Sequence, residues 1–174
     1  MGDSASQPKN ERSEASLIEQ CVRRIDVLEA RAEIQEVLAR YGRALDLRDL
    51  ALLRSCFHGD SKHEHGFVGN SADFCEFAML FLKQMKCTHH LIGNISITVN
   101  GDKADVEAYF CAYHRTPSHG EMAIPDSRPD EDVFIAGRYI DKFERRGGRW
   151  LIAARQGKEE WWRFEAAADR GHMS

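Results

Sequence analysis

The spacing of apolar residues changes once along this chain, and that change limits the folds open to it. Up to residue 45, apolar residues recur every three or four positions, as they do on one face of a helix. Beyond residue 88 they alternate with polar residues, as in Ile95-Ser96-Ile97-Thr98-Val99, which is typical of a half-buried strand. Helices followed by consecutive strands predict an α+β fold rather than repeated β-α units.

The first predicted helix begins at Ser16, which has capping-box spacing to Glu19. It runs to about residue 45, either as one helix or as two joined near residues 30–32. Its early apolar positions share helical spacing and are Leu17, Ile18, Cys21, Ile25, Leu28 and Ala32. A second set follows in a shifted phase and consists of Ile34, Val37, Leu38, Tyr41 and Leu45. Residues 1–14 are polar, which predicts a disordered tail.

The segment from residue 50 to residue 86 predicts two helices with a short strand between them. The first helix covers about residues 50–56 and the strand about residues 61–68, with His63 and His65 on one face. The second helix, at about 72–86, is apolar on nearly every side and is therefore expected to be buried.

The second half of the chain predicts a four-stranded antiparallel meander. A strand after residue 88 leads through a hairpin turn at 100–102 into a strand over 104–114, one face of which ends in Phe110, Ala112 and His114. Strands at about 132–145 and 149–159 complete the meander. We expect a single domain over residues 15–163, followed by a tail over 164–174.

A long loop is predicted at residues 115–131, which hold three of the four prolines. Loops of this length in compact domains often bind ligands or cover a pocket. Because this loop follows His114 directly, we expect it to fold over the mouth of a pocket and to set the size of the substrate.

Composition argues against several classes of function. The formal net charge is −4, and Lys and Arg are scattered among Asp and Glu, so no nucleic-acid partner is expected. No apolar run approaches the roughly 20 residues of a membrane-spanning helix, so no membrane partner is expected either. The N-terminal residues lack the apolar core of a secretory signal, and the five cysteines include no C-x-x-C pair, which favours a cytoplasmic protein with reduced thiols.

Two short segments carry the candidate chemistry, residues 41–49 with Asp46 and residues 88–94 with His89 and His90. A carboxylate that holds an imidazole fixes its tautomer and stabilises the imidazolium, so such a pair can abstract a proton at neutral pH. Strand parity favours His89 as the inward residue. A bulge that resets the parity would bring His90 inward instead.

These segments resemble the SnoaL-like branch of the nuclear transport factor 2-like superfamily. The resemblance rests on residues 32–49, 99–109 and 137–155 and on the spacing from His90 to Asn94, and it covers about residues 28–160. It implies a cone-shaped α+β domain in which a strongly curved, mostly antiparallel sheet wraps around N-terminal helices. The most similar members are cofactor-free lyases: hexachlorocyclohexane dehydrochlorinase, scytalone dehydratase and bile-acid 7α-dehydratase.

The resemblance also implies roles for residues of this chain. It favours His90 over His89 as the base and makes Asp46 the residue that orients it. It implies substrate contacts at Tyr41 and Arg155, and the predicted strand faces add His65, Phe110 and His114 as expected contacts. The implied reaction is a cofactor-independent elimination of water, halide or a one-carbon fragment from a small, hydrophobic, cyclic or aromatic substrate.

Alternative interpretations remain at the level of sequence. The family also contains polyketide cyclases, ketosteroid-isomerase-like enzymes, ligand-binding domains and the small subunits of ring-hydroxylating dioxygenases. His63, His65 and Cys87 are residue types that bind zinc, but no zinc-ligand motif is present, and we expect no metal.

A homo-dimer or homo-trimer is expected from one face of the late sheet, where Tyr109 and Tyr113 are mixed with charged residues. Trp161 and Trp162 lie beyond the last clear strand and are predicted to form an oligomer contact rather than to bind a cofactor.

Overall fold

The computed structural model describes residues 8–167, which form three helices and six strands. The helices are α1 (Pro8–Leu47), α2 (Leu50–Arg54) and α3 (Ser71–Lys83). The strands are β1 (Phe57–Glu64), β2 (Val68–Asn70), β3 (Cys87–Asn100), β4 (Lys103–Arg115), β5 (Glu131–Arg146) and β6 (Arg149–Ala166).

The described strands belong to one mixed sheet in the order β2-β1-β6-β5-β4-β3. Strands β3 to β6 form the predicted antiparallel meander, in which each strand pairs with the next. Strand β1 joins the free edge of β6 in parallel, and β2 pairs antiparallel with β1. The α+β class and the mostly antiparallel sheet are therefore confirmed.

The ends of several elements differ from the prediction. Helix α1 is continuous and begins at Pro8, within the segment over 1–14 that was expected to be a disordered tail, and residues 1–7 lie outside the described range. The strand expected at 61–68 is two short strands, β1 and β2, that pair with each other. Strand β6 continues to Ala166, past the expected domain boundary at residue 163, and residues 168–174 lie outside the described range.

The core lies between the second half of α1, helix α3 and one face of the meander. The apolar residues of α1 that follow the phase shift are buried: Ile34, Val37, Leu38, Tyr41 and Leu45. Strand β4 alternates as predicted, because its even-numbered residues from Ala104 to His114 are buried and the residues between them are exposed or half-buried. Burial of one helix face against one sheet face is the main source of stability in such a layered domain.

The first half of α1 extends away from this core. Leu17, Ile18, Val22, Ile25 and Leu28 are all exposed, although they are apolar. Within residues 8–167, no helix is long and apolar enough to cross a membrane.

A β-bulge in β6 depends on a glycine of β5, the strand opposite it. The pairing of β5 with β6 shifts between Ala136 and Gly137, and a Cβ atom on Gly137 would lie 2.0 Å from the backbone oxygen of Lys158. Only glycine allows this close approach of two backbones.

We expect Gly137→Ala to lower the free energy of unfolding by about 1–3 kcal/mol, because the added methyl group displaces the neighbouring strand. The matched control is Gly93→Ala, since a Cβ atom at Gly93 would meet nothing within 4 Å. Urea denaturation of both variants measures the difference. Equal stabilities would contradict this account of the bulge.

Candidate active site

A cavity of about 410 Å³ lies between α1, α3 and the inner face of the sheet. Most of its wall is apolar, and the large apolar contributors are Phe74, Phe77, Phe81, Phe110, Ile135 and Trp162. Six polar side chains also face it: Tyr41, His65, His90, His114, Tyr139 and Glu159. The cavity therefore combines an aromatic wall with a small set of polar groups, which is the usual composition of a small-molecule site.

Asp46 and His90 are joined by two hydrogen bonds. Nδ1 of His90 lies 2.8 Å from Oδ1 of Asp46, and the backbone N–H of His90 donates to Oδ2 at 3.0 Å. The His90 side chain is 7% exposed and lines the cavity. Asp46 does not line the cavity, so the carboxylate lies behind the imidazole and holds it from the protein side.

This arrangement determines which ring nitrogen of His90 is free. A carboxylate accepts hydrogen bonds, so the short contact with Asp46 favours the tautomer with its proton on Nδ1. Nε2 then carries a lone pair, and the hydrogen bonds of the His90 ring to residues 14–167 involve only Nδ1. An imidazole of this kind can accept a proton from a molecule in the cavity.

The local sequence explains why the pair meets. Asp46 lies in the last turn of α1, which ends where Arg48 adopts a positive φ of 54°. One turn earlier, Gly42 faces His90, and a Cβ atom there would lie 3.5 Å from the His90 carbonyl oxygen. The small residue lets β3 pass close to the helix, which brings the carboxylate within reach of the His90 backbone.

A bulge in β3 decides between the two adjacent histidines. The pairing of β3 with β4 shifts between Gly93 and Ser96, and Asn94 has a positive φ of 47°. The extra residue reverses the parity, so that His90 and Ile97 both face inward. His89 is 73% exposed, and its nearest contact with Asp46 is 3.7 Å.

His65 and His114 both face the cavity, as does Phe110 between them. The ring centre of His114 lies 5.3 Å from that of His90, and Thr88 Oγ1 lies 3.0 Å from Nδ1 of His114. Burial, followed by the charge that His90 can carry, lowers the pKa of His114 to about 3. Burial, followed by the positive charge of Arg155, lowers the pKa of His65 to about 4. Both rings are therefore neutral at neutral pH.

Arg155 lies behind two tyrosines of the cavity wall. Its side chain is fully buried and forms a two-point ion pair with Asp141 at 2.6 and 2.7 Å, and it does not line the cavity. Its guanidinium carbon lies 4.1 Å from the ring centres of both Tyr41 and Tyr139. The direct substrate contact expected for Arg155 stays a prediction, and the structure pairs its charge with Asp141 behind these rings.

Tyr41 does line the cavity, together with a second tyrosine that the sequence analysis missed. Tyr41 and Tyr139 pack edge to face at 5.7 Å, and burial raises the pKa of both hydroxyls. Tyr139 also stacks on Phe110 at 4.4 Å. Tyr139 lies on the buried face of β5 with Val133 and Ile135, although the alternation is interrupted at Ala136, which is also buried.

Strand β6 adds two further residues that the sequence analysis did not assign to the site. Trp162, which was expected beyond the last strand, lies in β6 and lines the cavity. Glu159 also lines it, and its carboxylate lies 3.7 Å from Nδ1 of His65. No pattern in the sequence marked either position, because the end of β6 does not alternate between apolar and polar residues.

The 115–131 loop reaches the cavity, as a covering segment should. Ala123 and Pro125 line it, and Ile124 between them is buried. The loop is held at its base by Thr116, whose hydroxyl donates to the Arg128 carbonyl at 2.6 Å. Its effect on substrate size stays a prediction.

His63 lies next to the cavity without reaching it. The ring stacks on Phe74 with a centre-to-centre distance of 3.4 Å, and neither ring nitrogen has a hydrogen-bond partner in the described part of the chain. Burial is the main cause that lowers the pKa of His63 to about 3. Among residues 14–167, whose side chains the structure describes, no group of three or more His, Cys, Asp or Glu is arranged to hold a metal ion.

The sequence and the fold of this chain are similar to those of known proteins. Residues 26–156, most of the chain, match the SnoaL-like domain family. This chain belongs to that family. No curated protein matches the sequence.

Solved structures show the same fold at low sequence identity. A type 2 hexachlorocyclohexane dehydrochlorinase aligns with a TM-score of 0.69 at 21% identity, over 86% of this chain and 97% of its own. A Novosphingobium aromaticivorans protein with the provisional name scytalone dehydratase aligns with a TM-score of 0.64 at 22% identity, over the same shares. A second protein of that organism, provisionally named an aromatic ring hydroxylase, aligns at 0.64 and 21% identity, over 79% and 94%. At this level of identity the SnoaL-like neighbours establish the fold and leave the reaction open.

The unpartnered ring of His63 should make this SnoaL-like domain sensitive to acid. An unfolded histidine binds its proton near pH 6.5, whereas folded His63 does so near pH 3. Between these values the unfolded state holds more protons, so the stability is full above pH 6.5 and falls as the pH decreases. We expect His63→Phe to reduce the loss of unfolding free energy between pH 7 and pH 5 by about 2 kcal/mol.

Urea denaturation at the two pH values measures this loss. His89→Phe is the matched control, because His89 is exposed. An unchanged pH dependence in His63→Phe would show that this ring is not a source of the acid sensitivity.

Proposed function

We propose that this protein is a cofactor-independent lyase that acts on a small, largely apolar, cyclic or aromatic molecule. The observation that carries the proposal is the Asp46–His90 pair, in which Nδ1 of His90 is held by the carboxylate while the His90 side chain lines the cavity. His90 is the proposed base and Asp46 the proposed positioning residue.

The proposed reaction begins with transfer of a proton from substrate carbon to Nε2 of His90. The electrons of the broken C–H bond form a carbon–carbon double bond, and the leaving group on the adjacent carbon departs with the electrons of its own bond. Asp46 stabilises the imidazolium that results, because the positive charge develops 2.8 Å from its carboxylate. The proton leaves His90 with the product or through water, which restores the base.

The cavity supports an apolar substrate with a ring. Its volume of about 410 Å³ lies in the range of small-molecule pockets, and aromatic side chains from α3, β4 and β6 form much of its wall. Flat or cyclic molecules fill such a space with offset or edge-to-face contacts. The low exposure of the His90 side chain, 7%, also strengthens the electrostatic interaction between Asp46 and the charged form of His90.

The leaving group is expected near His65, Tyr41 and Tyr139, which line the cavity together with His90. Neutral imidazole and protonated phenol donate hydrogen bonds, and burial keeps both kinds of group in that state. A departing hydroxyl or halide can therefore be stabilised without a charged side chain. This replaces the role that the resemblance implied for Arg155.

A carboxylate-based isomerase is the nearest enzymatic alternative, but the geometry does not favour it. Both oxygens of Asp46 already accept hydrogen bonds from His90, and the carboxylate does not line the cavity. A base must reach the proton that it removes. His90 meets this requirement and Asp46 does not.

We expect His90→Ala to lower kcat by roughly 10²–10⁴-fold, which is the usual contribution of a positioned general base. His89→Ala is the matched control, since His89 is the adjacent residue but 73% exposed, and its kcat should stay near that of the wild type. The assay is a panel of cyclic halides and cyclic alcohols that includes hexachlorocyclohexane and scytalone, with product release followed by mass spectrometry. Binding of panel compounds without turnover would contradict the lyase assignment.

The Asp46→Asn variant distinguishes a mechanism with His90 as the base from one with the Asp46 carboxylate as the base. One orientation of the amide sets its NH₂ group against the His90 backbone N–H, and the other forces the ring proton onto Nε2, where it blocks the base. We expect a loss in kcat that is no larger than that of His90→Ala. A larger loss in Asp46→Asn than in His90→Ala would favour the carboxylate base.

A further inference from the structure

The first half of α1 carries an apolar stripe that the rest of the chain does not cover. Ile18, Ile25 and Leu28 are 57%, 52% and 62% exposed. The helix is held to the domain by its other side, where Asp26 pairs with Arg145 at 2.6 Å and Ala30 is buried. The stripe therefore faces away from the core and the cavity.

The spacing of this stripe is that of a coiled coil. Its residues are separated by alternating steps of three and four: Ile18, Cys21, Ile25, Leu28 and Ala32. In heptad terms, Ile18, Ile25 and Ala32 occupy position a, while Cys21 and Leu28 occupy position d. Isoleucine at a with leucine at d favours two parallel strands.

The residues on either side of the stripe, at positions g and e, are also complementary in a parallel pair of helices. In a parallel, in-register pair, each g residue lies beside the e residue five positions further along the partner helix. Here Arg24 at g would meet Glu29 at e, and Leu17 at g would meet Val22 at e. An antiparallel pair aligns e with e and g with g, so Arg24 would lose its oppositely charged neighbour.

We propose that residues 17–32 form a parallel, two-stranded coiled coil with the same residues of a second copy of this chain. The occupant of the stripe is therefore another copy of this chain, and the contact is independent of the proposed catalytic function. It is also a different surface from the sheet face around Tyr109 that the sequence analysis expected to form the oligomer contact.

Sedimentation equilibrium of the full chain at a series of concentrations tests the stoichiometry. The wild type should reach twice the chain mass of 19.8 kDa. Ile25→Asp should remain at the single-chain mass, because it places a charge in the seam. Val27→Asp is the matched control, since it adds the same charge to an exposed site on the same helix but outside the seam, and it should still dimerise.

Thermal unfolding establishes that both variants keep the folded domain. A wild type that stays monomeric, a three-chain mass, or a dimer that persists in Ile25→Asp would each overturn the proposal.

Cys21 tests the parallel register. At position d of a parallel pair, the two Cys21 thiols lie side by side, so a short bismaleimide should join them in the wild type and fail in Cys21→Ser. Cys111→Ser is the control, because Cys111 is also an exposed thiol but belongs to the outer face of β4. A cross-link that survives in Cys21→Ser and disappears in Cys111→Ser would show that the sheet face, and not the helix, forms the dimer.

Discussion

The structure of the site depends on one carboxylate that accepts two hydrogen bonds from one residue. Asp46 takes the backbone N–H of His90 through one oxygen and the ring N–H through the other. The first bond fixes where β3 lies relative to the end of α1, and the second fixes the rotation and the tautomer of the ring. A single side chain thus couples the packing of helix on strand to the protonation state of the proposed base.

A second buried interaction supports the opposite wall of the cavity. The Arg155–Asp141 ion pair lies behind Tyr41 and Tyr139, with the guanidinium close to both rings. A buried pair of this kind adds little net stability compared with apolar residues, but removal of one partner leaves an unpaired charge and is strongly destabilising. Its main effect here is to fix the positions of two tyrosines that face the cavity.

The sequence allowed the fold class to be predicted, because the change from helical to alternating spacing and the hairpin turn at 100–102 are local signals. The Asp46–His90 pair followed from the family resemblance, since strand parity alone favoured His89. The bulge at Gly93–Ser96 and the positive φ of Asn94, which reverse that parity, depend on tertiary packing.

The same limit applies to the surroundings of Arg155, which the sequence alone does not reveal. Arg155 lies at an inward position of β6, and only the partner across the sheet, Asp141, decides that its charge is buried rather than directed to the cavity.

The tautomer of His90 tests the account most directly. Nitrogen NMR of the ¹⁵N-histidine-labelled protein, with the His90 ring assigned by its loss in His90→Ala, should show a protonated Nδ1 and an unprotonated Nε2 in the neutral ring. A neutral ring with its proton on Nε2 would contradict the proposed base.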